Sequence, residues 1–136
     1  MQIDFSAVED EESYVSVPEG VYVCRIADVR EGTTREGHPR WSIRLDVAEG
    51  DYAGRFGAWD GLSWTPRALP RVKQVLATLG FDVSGVVELE PNDLLGRRIR
   101  AELITEERED PLTGRRVLRL RVPYNGYGPE EEPAVA

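Results

Sequence analysis

Polar and apolar residues alternate most regularly over residues 40–48. Trp41, Ile43, Leu45 and Val47 fall on one side, and Ser42, Arg44 and Asp46 fall on the other. A period of two is that of a half-buried strand. An earlier strand is expected over 20–30, GVYVCRIADVR, where Tyr22, Cys24 and Ile26 alternate with Val21, Val23 and Arg25. Apolar residues on both sides predict a strand buried on both faces near its start. A short third strand is expected over 55–59, with Arg55, Gly57 and Trp59 on one face and Phe56 and Ala58 on the other. The segments EGTTREGHP and EGDYAG carry the glycine and proline of turns between these strands.

Over 62–79 the period lengthens. Leu69, Val72, Val75 or Leu76, and Leu79 recur at helical spacing, Thr65-Pro66 is an N-terminal signal, and Gly80 stands at the C-terminal cap. Pro70 lacks the N–H that a helix interior needs, so the main helix is expected to begin there after a separate turn. A fourth strand is expected over 94–105, with Ile99, Ala101 and Leu103 inward and Arg98, Arg100 and Glu102 outward. The turn DPLTG at 110–114 then leads into a fifth strand over 116–124. There Leu118, Leu120 and Val122 face inward and Val117, Arg119 and Arg121 outward. Three strands, one helix and a closing hairpin make an all-β chain with one helix. Their order is that of the OB-fold, a five-stranded Greek-key barrel whose helix lies between strands 3 and 4.

Length and charge refine this picture. A chain of 136 residues holds one domain with short tails. Residues 1–19 carry six acids and no base, and 125–136 carry three acids and no base. The net charge of −8 therefore leaves residues 20–124 at +1, with all seventeen basic residues, sixteen of them Arg. The expected division is an acidic segment 1–19, an OB domain 20–124 and a flexible acidic tail 125–136. One cysteine, Cys24, and one histidine, His38, supply neither a disulfide framework nor a Cys/His zinc site. No apolar run reaches the roughly 18 residues of a membrane span, and the N-terminus lacks the pattern of a secretion signal. These features predict a cytoplasmic protein.

Several short motifs resemble a family of small phage and prophage proteins. They are the opening MQIDFSAVED, then P-x-G-x-Y at Pro18–Tyr22, and the loop TTREGHPRWSIRLDVAEGDYAGR with G-x-Y-x-G-R at Gly50–Arg55. L-x-x-L-G at Leu76–Gly80 and L-x-G-R at Leu94–Arg97 complete the set. The resemblance implies an OB-fold protein akin to single-stranded-DNA-binding proteins, encoded near phage recombination and replication genes. The tail GPEEEPAVA partly resembles the acidic, apolar-ended tail with which bacterial single-strand binders recruit repair proteins, although it lacks an aromatic.

Single-strand binding needs aromatic faces for bases and cations that follow the phosphates. Trp59, beside Arg55 on a strand of small residues, is the expected stacking platform. Trp41 and Trp64 are expected to pack, and Tyr52 to shape its turn. Arg35, Arg40, Arg44 and Arg55 surround the face and first loop that an OB binder uses. Arg98, Arg100, Arg119 and Arg121 should share one outward face, either as a phosphate track or as cross-strand ion pairs with Glu102 and its neighbours. Against them, the hairpin loop carries Glu106, Glu107, Glu109 and Asp110, which repel phosphate. Asp46, Asp51, Asp60 and Asp93 lack the spacing of Mg²⁺ ligands, and His38 reads as a loop residue. No metal, cofactor or catalytic residue is expected. The expected partners are single-stranded DNA and, through the acidic ends, phage recombination or replication proteins, with self-association open. The alternative is a protein-interaction or assembly module on the same scaffold.

Overall fold

A computed structural model describes residues 15–130. Strand β1 (Gly20–Thr33), β2 (Pro39–Val47) and β3 (Phe56–Ser63) form an antiparallel meander. Helix α1 (Leu69–Thr78) and a 3₁₀ turn (Pro91–Asp93) follow. The chain then enters β4 (Arg98–Glu109), β5 (Arg116–Arg121) and the two-residue β6 (Tyr127–Gly128). All six strands belong to one antiparallel sheet of order β3-β2-β1-β4-β5, with β6 on β4. The edge strands β3 and β5 approach each other across a cleft lined by Phe56, Trp59, Arg119 and Leu120. No ladder joins them among the described residues, so the sheet is not closed.

β2 keeps its alternation and buries Trp41, Ile43, Leu45 and Val47. These meet Cys24 and Ile26 of β1, Ala58 and Leu62 of β3, and Ile99, Ala101 and Leu103 of β4 in one core. Burial first, and then the charge of Asp46, pushes the Cys24 thiol up to about 12, so it stays a neutral core group. Helix α1 covers the core with Val72, Val75 and Leu76. It ends in a Schellman arrangement: Gly80 N–H bonds Ala77 O and Phe81 N–H bonds Leu76 O, each at 3.0 Å. Gly80 takes φ +99°, where a side chain would be strained. Arg97 then ties the helix end to the start of β4. It donates to Leu79 O at 3.0 Å, and its guanidinium lies 3.9 Å above the Phe81 ring. Among the described residues no helix is long and apolar enough to cross a membrane.

Several expectations are corrected. β1 has one fully buried face, not two: Cys24 and Ile26 lie in the core, while Val21 is 59% exposed and Val23 only half-buried on the other side. The helix bears out its expected start after a separate turn, to within one residue: it begins at Leu69, with Pro70 in its first turn, where a missing N–H costs nothing. Thr65 accepts the Ala68 N–H just ahead of it. β4 begins at Arg98 because 94–97 turn out of the 3₁₀ segment, and it continues to Glu109. β5 stops at Arg121, and its outer half is inverted: Val117 is buried and Leu118 is exposed. Opposite Leu118, Glu107 is exposed too, so the β4–β5 hairpin there has run past the end of the core. A sixth strand joins the expected five, formed inside the segment read as tail. Acidic residues 4–12 and 131–132 lie outside the described residues. Glu19, by contrast, accepts the Thr105 N–H at 2.6 Å, and Glu130 lies 2.9 Å from Arg98.

Candidate nucleic-acid interface

The outward face of β1–β2–β3 is built in cross-strand rows. Asp28, Arg44 and Trp59 lie in one row, Arg30, Ser42 and Gly61 in the next, and Gly32, Arg40 and Ser63 in the third; Asp46 opposite Phe56 flanks the first. Two bulges decide who stands here. The one at Ala27 in β1 reverses the side-chain parity after Ile26, which puts Asp28 and Arg30 outward. The one at Gly57 in β3 leaves Phe56 on the same side as Trp59 and carries Arg55 away. This corrects the expected face of Arg55, Gly57 and Trp59. Arg55 instead reaches Ser16 O at 3.4 Å and lies 5.7 Å over Tyr52.

Small residues let the arginines lie flat. Arg30, with only Ser42 and Gly61 in its row, sits 4.8 Å above the half-buried Trp59 ring. Arg44 sits 5.0 Å above Phe56. Arg40 donates to Ser42 Oγ at 2.9 Å and lies so closely across Gly61 that a Cβ there would overlap its guanidinium. Carboxylates accompany two of these cations: Arg30 Nε is 3.1 Å from Asp28, and Arg44 Nε is 2.9 Å from Asp46.

Beyond the face, the β1–β2 loop meets the β4–β5 hairpin. Arg35 and Arg108 line a groove of about 500 Å³ with Pro111, Val117 and Arg119, together with Glu109 and Asp110. Arg119 borders both this groove and the cleft at Trp59. It is 3.0 Å from Glu106, which also stands 3.8 Å from Arg121. Arg98 contacts Glu49 at 2.6 Å as well as Glu130, and Arg100 lies against Gly128 in a crevice with Tyr22 and Tyr52. Within the second arginine set, Arg98, Arg119 and Arg121 thus stand in loop and cross-strand ion pairs.

The geometry therefore brings together Trp59, Arg44, Arg40, Arg119 and, at the adjoining loop, Arg35. It sets Arg55, Arg98 and Arg100 apart and leaves Arg121 beside Glu106. Arg30, Phe56 and Arg108 join the site without having been singled out, since only the bulges and the loop contact place them there. Trp41 packs inward and meets Trp64 edge-on at 5.1 Å. Asp60, on the inward side of β3, accepts Arg71 Nη2 at 2.9 Å and the Tyr127 hydroxyl at 2.6 Å. Among the described residues no three of His, Cys, Asp and Glu lie together as a metal-holding group. No protein-family model matches the chain, and no curated protein matches it.

Proposed function

We propose that the chain is an OB-type protein that binds single-stranded DNA without strong sequence preference, in phage or prophage replication or recombination. The strand order, the helix between β3 and β4, and the facing edges of β3 and β5 support a barrel of that kind. One observation carries the functional reading: Phe56 and Trp59 share an outward face on which Arg30 and Arg44 lie over their rings. Rings receive bases and guanidinium groups receive phosphates, and neither contact depends on sequence. The groove beyond it adds Arg35, Arg108 and Arg119, opposed by Glu109 and Asp110, between two loops that such folds use for oligonucleotides. The phage setting rests on the family resemblance alone, and so does recruitment of recombination proteins through the acidic ends.

Fluorescence anisotropy of labelled oligothymidine, titrated against salt, tests this. Affinity should fall with salt at a slope of roughly 0.7 per neutralised phosphate. Absence of binding at about 50 mM salt would overturn the reading. It would favour the second, a protein-interaction module. That reading draws on an apolar groove of about 820 Å³ between α1 and the following loop, lined by Trp64, Leu69, Leu76, Val83 and Val87.

A further inference from the structure

Both rings of the candidate face are already occupied. The Arg30 guanidinium covers Trp59 and is held by Asp28 on its own strand. The Arg44 guanidinium covers Phe56 and is held by Asp46 on its own strand. Each carboxylate stands two residues from its arginine, the spacing that puts both on one face of a strand. The first pair is open to solvent, with Arg30 and Asp28 71% and 42% exposed, whereas the second is half-buried, with Arg44 41% and Asp46 15% exposed. An exposed pair such as Arg30–Asp28 holds weakly and is readily exchanged, and the Arg44 end of the second pair is itself open to an incoming anion.

We propose that Asp28 and Asp46 are the specificity-determining residues of this face, making it select unstacked single strands over duplex. The inference rests on the single-strand reading above. A phosphate that takes Arg30 or Arg44 replaces one anion with another, so charge alone gains little from the exchange. A single strand also brings a free base, which stacks on the ring that the guanidinium uncovers. A duplex keeps its bases stacked internally and offers phosphate only, so it cannot make up for the displaced carboxylate. Without the two carboxylates, Arg30 and Arg44 would attract any polyanion.

Binding of a 20-nucleotide oligothymidine, a duplex of equal length and heparin is compared for the native protein, Asp28→Asn, Asp46→Asn and the double variant. The native protein should prefer oligothymidine over duplex by at least about tenfold, a margin set by base stacking on the two rings. The double variant should lose most of that preference, chiefly by gaining duplex and heparin affinity. Its salt slope on oligothymidine should steepen by up to about 1.4, two arginines at roughly 0.7 each. Asp28→Asn alone, at the more exposed pair, should move in the same direction with an unchanged melting temperature. If every variant binds oligothymidine but keeps the native preference and slope, the inference is overturned and the single-strand reading stands. If the native protein binds no oligothymidine, both fall.

Discussion

Trp41 is 8% exposed and meets the edge of Trp64, whereas Trp59 is half-buried with a guanidinium for a neighbour. Replacing each indole should therefore change different measurements. Trp41→Ala removes a core aromatic and should cost about 3 to 5 kcal/mol of stability, read by urea denaturation. Trp59→Ala should weaken oligothymidine binding by about 1 to 3 kcal/mol, as should Phe56→Ala, with little change in the urea midpoint. A Trp59→Ala protein that binds normally and unfolds early would make that ring a packing residue. Tyr127 offers a pH test. Burial, then the Asp60 charge, then their hydrogen bond raise its pKa well above the ordinary 10.0. The unfolded chain ionises this phenol near 10 while the folded one does not. The stabilisation is thus fully present below pH 10 and is lost as pH rises through the folded value. The slope is at most about 1.4 kcal/mol per pH unit. Tyr127→Phe should lower stability by about 1 kcal/mol at pH 8, and the gap from the native protein should close above pH 10 in urea titrations.

At the scale of elements, the candidate face depends on a missing side chain as much as on present ones. Gly61→Val would drive Arg40 off β3 and should weaken oligothymidine binding several-fold. The urea midpoint should change little, because Gly61 lies on the outward face and β-branched residues suit strands. Normal binding by this variant would remove Arg40 from the interface. β2 was fully legible in the sequence because its two faces meet different solvents along its whole length. The faces of β1 and β3 were not, because a bulge inserts one backbone residue and shifts parity without any mark in the pattern. Ala27 and Gly57 are ordinary strand residues to a reader of hydropathy, yet they flank Leu45 from either side and bend the sheet there. Arg55 was misplaced for that reason, and Arg30 and Phe56 were missed. In β5, Leu118 kept the apolar alternation after the hairpin had outrun the core, so pattern and burial parted. β6 was hidden because its partner on β4 is distant and its two residues sit among turn-forming neighbours.

For the molecule as a whole, the C-terminal segment is fastened from within. Tyr127 reaches Asp60 on β3, and Arg71 of α1 joins them, placing its guanidinium 5.5 Å from the Tyr127 ring. Deleting residues 126–136 removes this tie and should lower the melting temperature by about 5 °C or more in calorimetry. Deleting 131–136 spares it and removes two acids. That shorter truncation should leave melting unchanged and tighten oligothymidine binding at low salt, the gain fading as salt screens the tethered charge. Equal affinity across the salt series would leave residues 131–136 without an inhibitory role. The position of β1 has a consequence for the chain during synthesis. Of the six strands described, β1 is made before the others and can fold back with β2 and β3 as soon as they follow. Its other edge, Gly20–Arg25, pairs with Arg98–Leu103, and so stays unsatisfied until nearly the whole domain has been translated. Through that interval the nascent meander exposes a central strand as a temporary edge, with Cys24 and Ile26 beside it. Such an edge is the kind of template that a neighbouring nascent chain can join.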